Sequence, residues 1–193
     1  FGGEGLSGTG PKAGGPNYVA RFTRPGRIRA EVQTGAAASP DDVQAAIDAA
    51  GRPGGEALST ISLPGPTGES NRLSTHPRGV ILCLGPTAEL AARQGRLARG
   101  AGCVGLEVAP GAPDVSGFLD RASLTRLRGI DAVALWSTDG DLRAAGRALA
   151  ARAGPIVPLL AEDDLKDRCV LERHVCVDTT AAGGNAQLLA EAG

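Results

Sequence analysis

The sequence predicts an α/β protein with a Rossmann-like parallel sheet that carries helices on both faces. Short, unbroken apolar runs such as Val80-Ile81-Leu82-Cys83-Leu84 alternate with longer segments whose apolar residues recur every three or four positions. The longer segments begin at capping residues, which is typical of helices. Because a strand, helix, strand connection in one sheet is right-handed, this alternation favours a layered, doubly covered sheet.

The elements follow in order along the chain. Strands are predicted over residues 79–84, 104–108, 130–136 and 156–160, the last at an edge because Pro158 lacks a backbone donor. Ser39 is the expected cap of a first helix that has Pro40 at its first position and ends at Gly51. Further helices are predicted over 87–99, after Asp114 as cap, and after Asp139 as cap. Outside this repeat we predict strands over 18–22 and 174–177 and a helix over 164–173.

Composition narrows the function. A net charge of -1 gives no electrostatic drive toward nucleic acid, and a 42% hydrophobic content suffices for a core. The four cysteines lie mostly in apolar runs and form no CxxC pair, so they are interpreted as small hydrophobes. His76 and His174 are far apart in sequence, which predicts no metal site. No signal peptide or membrane-length apolar run is present, which favours a cytoplasmic location.

A run from Gly3 to Gly8 matches the dinucleotide pattern GxGxxG. The pattern works when a strand leads into it and a helix follows, but nothing precedes Phe1, and Pro11 and Pro16 interrupt the expected helix. We interpret the match as accidental. A free-standing Rossmann-like enzyme with its nucleotide site here stays the alternative, as does a generic glycine-rich loop.

Three segments carry a resemblance to a known family. Residues 1–22, FGGEGLSGTGPKAGGPNYVARF, resemble the end of the catalytic domain of aldehyde dehydrogenases that oxidise glutamate semialdehyde. The phrase PGPTGESN over 64–71, followed by Pro77-Arg78-Gly79 and an apolar strand, resembles the entry to the extra domain of long members of the proline utilization A family. The phrase VDTTAAGGN over 177–185 resembles their terminal segment. Read locally, these last two would be a solvated turn and a frayed tail.

The resemblance implies a division of the chain and a set of roles. Residues 1–33 would end an aldehyde dehydrogenase catalytic domain, 34–62 form a helix and linker, 63–177 a Rossmann-like domain, and 178–193 a tail. Phe1 would belong to the aromatic wall around the aldehyde. The tail would help to seal the passage between two active sites through the residues Thr179, Thr180, Gly183, Gly184 and Asn185.

The catalytic residues would lie outside this chain. The nucleophilic Cys and the general base are expected upstream of Phe1, so the chain alone should be inactive. The resemblance implies a parent that oxidises proline at FAD and glutamate semialdehyde with NAD, that is a homodimer, and that is cytoplasmic with peripheral contact to the inner membrane. A purely structural or interaction domain is the remaining alternative, and it differs only in whether Phe1 and the tail touch the catalytic domains.

Overall fold

The computed structural model describes residues 10–23, 26–31 and 35–178. This part of the chain contains eleven α-helices and β-strands. They are α1 (Pro40–Ala49), β1 (Ser59–Leu63), β2 (Glu69–Pro77), β3 (Val80–Cys83), α2 (Ala88–Gly100), β4 (Val104–Ala109), β5 (Val115–Ser116), β6 (Ala132–Ala134), α3 (Asp139–Ala150), β7 (Leu159–Leu160) and β8 (Val170–Asp178).

The larger sheet has five parallel strands in the order β5-β4-β3-β6-β7. Alternate residues of each strand point to opposite faces, so one strand contributes to two cores. Leu82 and Val133 pack with α1 and α3 on one face, whereas Ile81 and Ala134 pack with α2 on the other. The predicted α/β class with helices on both faces is confirmed, and β7 lies at the predicted edge.

Each of the three α-helices begins at a capping side chain. Ser39 accepts hydrogen bonds from the backbone N–H groups of Asp41 and Asp42, as predicted, and Pro40 opens α1. Thr87 caps α2 by accepting from Leu90 N–H. The cap of α3 is Thr138 and not Asp139, because the hydroxyl of Thr138 accepts from the third residue of the helix.

The smaller sheet is antiparallel, has the order β1-β2-β8, and was not predicted. β1 and β2 form a hairpin that closes at the pair Leu63 and Asn71, and β2 pairs with β8 from Glu69 to Pro77. The predicted helix over 164–173 is wrong. Residues from Val170 onward are held in the extended form by this long ladder, and only Lys166–Arg168 keeps a short 3-10 turn.

Two other sequence-based elements differ from the structure. The predicted helix after Asp114 is replaced by β5, because the Asp114 carboxylate accepts from Glu107 N–H on the neighbouring strand instead of capping a helix. The predicted strand over 18–22 is a 3-10 helix, Val19–Phe22. That helical turn brings the rings of Tyr18 and Phe22 into edge-to-face contact, with 5.2 Å between their centroids.

Candidate functional site

The first place to look for a ligand is the carboxyl edge of the parallel sheet. In open α/β sheets ligands bind outside the carboxyl ends of the strands, at the point where the strand order reverses. Here that point lies between β3 and β6, because the chain builds β4 and β5 on one side of β3 and then returns to add β6 and β7 on the other. A nucleotide would need this crevice to be open.

Two described segments of the chain lie along this edge of the sheet, one on each side of the crevice. We call residues 26–31 and 35–38 the strap. At one end of the strap, Gly26 O accepts from Asp163 N–H at 3.0 Å, just beyond β7. Arg29 then pairs with Asp139 at 3.4 Å, beyond β6, and Ile28 packs against the core on that side. The strap therefore covers the edge above β6 and β7.

The other end of the strap covers β4 and β5. Gly35 lies against the ring of Pro110, which follows β4. Ala36 O accepts from Phe118 N–H at 2.8 Å and Ala38 N–H donates to Phe118 O at 2.9 Å, so this end pairs with the chain that leaves β5. Gly117, with φ 135°, allows this approach, since a Cβ there would lie 2.6 Å from Ala38 N.

The connection from β3 to α2 leaves no open phosphate cradle. In a dinucleotide site this turn is glycine-rich and its amides face the pyrophosphate. Gly85 and Pro86 are buried, and Gly85 lies so close to Ala91 that an added Cβ would overlap its backbone nitrogen. The Thr87 hydroxyl already accepts from Leu90 N–H at 3.2 Å. The crevice therefore does not fit NAD.

An indole fills the space beside β6. Trp136 is fully buried two residues after the strand ends, and its ring N–H donates to Glu162 O at 2.6 Å. The guanidinium carbon of Arg93 lies 5.1 Å from the centre of the ring, a cation–π distance. These contacts join α2, β6 and the segment after β7, so the ring is part of the core.

The cysteines are the candidate nucleophiles, because thiohemiacetal chemistry requires a reactive thiolate. Cys83, Cys103 and Cys169 are buried. Burial, with the charge of Glu107 nearby, raises the pKa of Cys83. Cys176 is exposed on β8, and its pKa is raised by local desolvation and by the charge of Glu69. Among the four cysteines only Cys103 has a lowered pKa, and this residue is 5% exposed.

Arg78 forms a clamp at the junction of the two sheets. Its backbone N–H donates to Cys169 O at 2.9 Å, and its side chain donates to Arg168 O at 2.6 Å and to Val170 O at 3.4 Å. Three successive carbonyl groups are thereby satisfied by one residue. The side chain of Arg78 is almost fully buried, so the clamp fixes where β8 begins.

A cleft of about 790 Å³ lies beside this clamp, between residues 11–23, the antiparallel sheet and the turn after β7. Its wall carries more carboxylates than guanidinium groups. The carboxylates belong to Glu162, Asp163, Asp164, Asp167 and Glu172. Several of them bond to neighbouring groups; Glu172, for example, accepts from Lys12 N–H and Asn17. Among residues 10–23, 26–31 and 35–178 no group of three or more ligating side chains is placed to hold a metal.

The site residues implied by the resemblance lie outside the described residues. These are Phe1, Thr179, Thr180, Gly183, Gly184 and Asn185. Their roles stay predictions, as do the four segment boundaries. Sequence reasoning missed three features: the strap, the clamp, and the contact of the Cys103 sulfur with the Cys169 carbonyl. Each of them joins residues that lie far apart along the chain.

Within the described ranges, no helix has the length and hydropathy needed to span a membrane.

Comparison with known proteins identifies the family that this chain resembles. No protein-family model matches the chain. Over 98% of its length, however, it is 34% identical to the bifunctional protein PutA of Escherichia coli and 33% identical to that of Salmonella typhimurium. The chain is homologous to a segment of PutA. The resemblance to the proline utilization A family is thus confirmed, and the chain spans 17% of the length of these two relatives.

Two further comparisons describe the extent of the match. The comparison with the Escherichia coli PutA covers 230 positions, more than the 193 residues of this chain, so that relative has additional residues inside the matched segment. A solved proline utilization A with proline bound in remote sites is 31% identical over 52% of this chain and 13% of its own, with a TM-score of 0.39. A variant of the Bradyrhizobium japonicum PutA gives 30% identity at the same two coverages and a TM-score of 0.40.

Proposed function

We propose that this chain is a non-catalytic segment of a bifunctional proline-oxidising protein of the PutA family. In that protein a flavin-dependent dehydrogenase would oxidise proline, and an NAD-dependent aldehyde dehydrogenase would oxidise glutamate semialdehyde to glutamate. FAD and NAD would be bound by other segments. The present segment would support the aldehyde site through Phe1 and seal the passage between the two sites through residues 179–185.

The covered carboxyl edge is the observation that carries this proposal. The strap forms backbone hydrogen bonds beyond β5 and β7, and its Arg29 pairs with Asp139 beyond β6, beside the crevice where a cofactor would otherwise lie. Removing it would expose the amide and carbonyl groups of Phe118 and Asp163, which costs free energy unless a ligand replaces each bond. The strap occupies this edge on both sides of the crevice, and the turn after β3 offers no phosphate cradle, so the Rossmann-like fold would serve here as a scaffold.

The cysteine environments support the same proposal. Acyl transfer to a thiol needs an ionised sulfur with room for the substrate beside it. Cys83 and Cys169 are fully buried, and the exposed Cys176 has a raised pKa. Cys103 has no substrate-sized opening, because it is only 5% exposed.

A titration of the 193-residue chain with NAD, followed by calorimetry and by a thermal shift, tests the scaffold role. We expect no binding heat, no change in melting temperature, and no NADH when glutamate semialdehyde is added. Saturable NAD binding or NADH formation would instead support the free-standing nucleotide-binding enzyme. NADPH and ADP-ribose serve as controls for weak, non-specific nucleotide binding.

The supporting role needs a polypeptide that also contains the catalytic segments. Deleting residues 179–193 there should lower transfer of the intermediate between the two active sites, and replacing Phe1 with Ala should raise the KM for the aldehyde. Unchanged transfer and an unchanged KM would leave a purely structural domain. Size-exclusion chromatography and cell fractionation of the same polypeptide test the proposed homodimer and its cytoplasmic location with peripheral membrane contact.

A further inference from the structure

Two thiols meet where the parallel and antiparallel sheets join. Cys103 lies directly before β4 and Cys169 directly before β8, and 66 positions separate them in sequence. The Cys103 sulfur lies 3.0 Å from the carbonyl oxygen of Cys169, and both side chains belong to the same buried core cluster. A packing role alone would be served by any small apolar residue, whereas two neighbouring thiols can also be oxidised to one disulfide.

We propose that Cys103 and Cys169 form a redox-active pair that a hydroperoxide converts to a reversible disulfide. The Cys103 sulfur attacks the peroxide O–O bond, which yields a sulfenic acid and releases the alcohol, or water when the oxidant is hydrogen peroxide. The Cys169 sulfur then attacks the Cys103 sulfur, and its proton leaves with the hydroxyl group as water. Two thiols lose two hydrogen atoms and the peroxide is reduced by two electrons, so the step is balanced.

The surroundings assign the two sulfurs different roles. The Cys169 thiol, the backbone amides of Gly79 and Arg78, and the Arg78 charge together lower the pKa of Cys103, against the opposing effect of burial. The hydrogen bond with Cys103, together with burial, raises the pKa of Cys169. Cys103 is therefore the attacking thiol, and Cys169 is the resolving thiol that holds a proton until the second step.

Cys169 lies next to the wall of the neighbouring cleft. The residues on either side of Cys169, Arg168 and Val170, line the wall of this cleft together with Arg78. Cys103 is 5% exposed and Cys169 is fully buried, so the oxidant has to be as small as hydrogen peroxide, and a large alkylating agent should not react. Cys83 belongs to the same core, but its pKa is raised by burial, and Cys176 lies on β8 away from that core.

The crosslink would tie the start of β4 to the start of β8. It would close a long loop that contains β4, β5, β6, α3 and β7, and so restrict the unfolded chain. The oxidised chain should therefore melt roughly 5 to 10 °C higher than the reduced chain, and dithiothreitol should reverse the shift.

The test is oxidation of the reduced 193-residue chain with hydrogen peroxide, followed by thiol counting in urea and peptide mapping without reductant. We expect the four thiols to fall to two, a crosslinked peptide containing Cys103 and Cys169, and full recovery with dithiothreitol. Cys176→Ser is the matched control and should still form the bond. Cys169→Ser should stop at a sulfenic acid on Cys103 that dimedone traps, and Cys103→Ser should leave Cys169 unoxidised.

Three outcomes of the oxidation experiment would contradict the proposal. Retention of all four thiols, a disulfide that involves Cys83 or Cys176 instead, or sulfinic acid on Cys103 without a crosslink would each overturn the proposal. The mapping of the unmodified chain needs no substitution, so a variant that fails to fold does not remove the test.

Discussion

Replacing Gly105 with Ala should destabilise the chain by forcing α2 away from β4. A Cβ at Gly105 would lie 2.9 Å from both the Cα and the carbonyl oxygen of Gly95, where ordinary carbon contacts begin at about 3.4 Å. The atoms in the way are helix backbone, which cannot rotate aside. Overpacking of this kind costs typically about 2 kcal/mol, and here the cost falls on a close helix-to-strand contact of the larger sheet.

Gly146→Ala is the matched control. Gly146 lies within α3, and a Cβ added there would have no atom within 4 Å. The same substitution there should stabilise the chain by up to about 1 kcal/mol, because Ala restricts the unfolded backbone and favours the helix. Urea unfolding monitored by circular dichroism should separate the two variants by about 3 kcal/mol. Equal stabilities, or a more stable Gly105→Ala variant, would refute the packing argument.

Other perturbations test the ion pair, the strap and the buried indole. Burial raises the pKa of Asp141. The hydrogen bonds and the charge of Arg121 lower it by a larger amount, so the pKa lies below the ordinary 3.8. Asp141→Asn should therefore lower the free energy of unfolding by about 3 kcal/mol near neutral pH. Urea unfolding should show this difference between the two proteins shrink as the pH falls below 3.8 and through the lowered pKa of the folded state, because Asp141 then becomes protonated. Gly117→Ala should cost about 2 kcal/mol by displacing the strap, whereas Arg29→Ala, which removes only an exposed ion pair, should change the unfolding free energy by less than about 0.5 kcal/mol. Trp136→Phe should cost about 1 to 2 kcal/mol in the same assay, since the buried indole hydrogen bond is lost.

The repeating part of the fold could be predicted because its signals are local. Apolar runs mark β3, β4, β6 and β7, and the periodic apolar residues of α1, α2 and α3 all face the core. Ser39, Pro40 and Gly51 fix the ends of α1 through backbone chemistry that a few neighbouring residues determine. The antiparallel sheet was missed for the opposite reason. β2 is mostly polar and β8 is exposed along most of its length, and they are strands because they pair with each other.

The resemblance to the PutA family was also readable from the sequence, since it depends on short phrases of consecutive residues. The roles of Phe1 and of residues 179–185 came only from that resemblance and lie outside the described residues. The environment of Cys103 could not be inferred from sequence. Its neighbours in the sequence suggested an inert thiol, but the carbonyl group that its sulfur contacts belongs to Cys169, beyond several strands and a helix.

The sequence by itself determined the α/β class, the bounds of α1 and α2 and the family, because periodicity, capping and short motifs are properties of neighbouring residues. Only the tertiary structure decided that the strap covers the carboxyl edge of the sheet, that Arg78 holds the start of β8, and that two cysteines meet at the junction of the sheets. Each of these depends on distant segments brought together by burial of the shared core, and local sequence carries no record of which segments will meet.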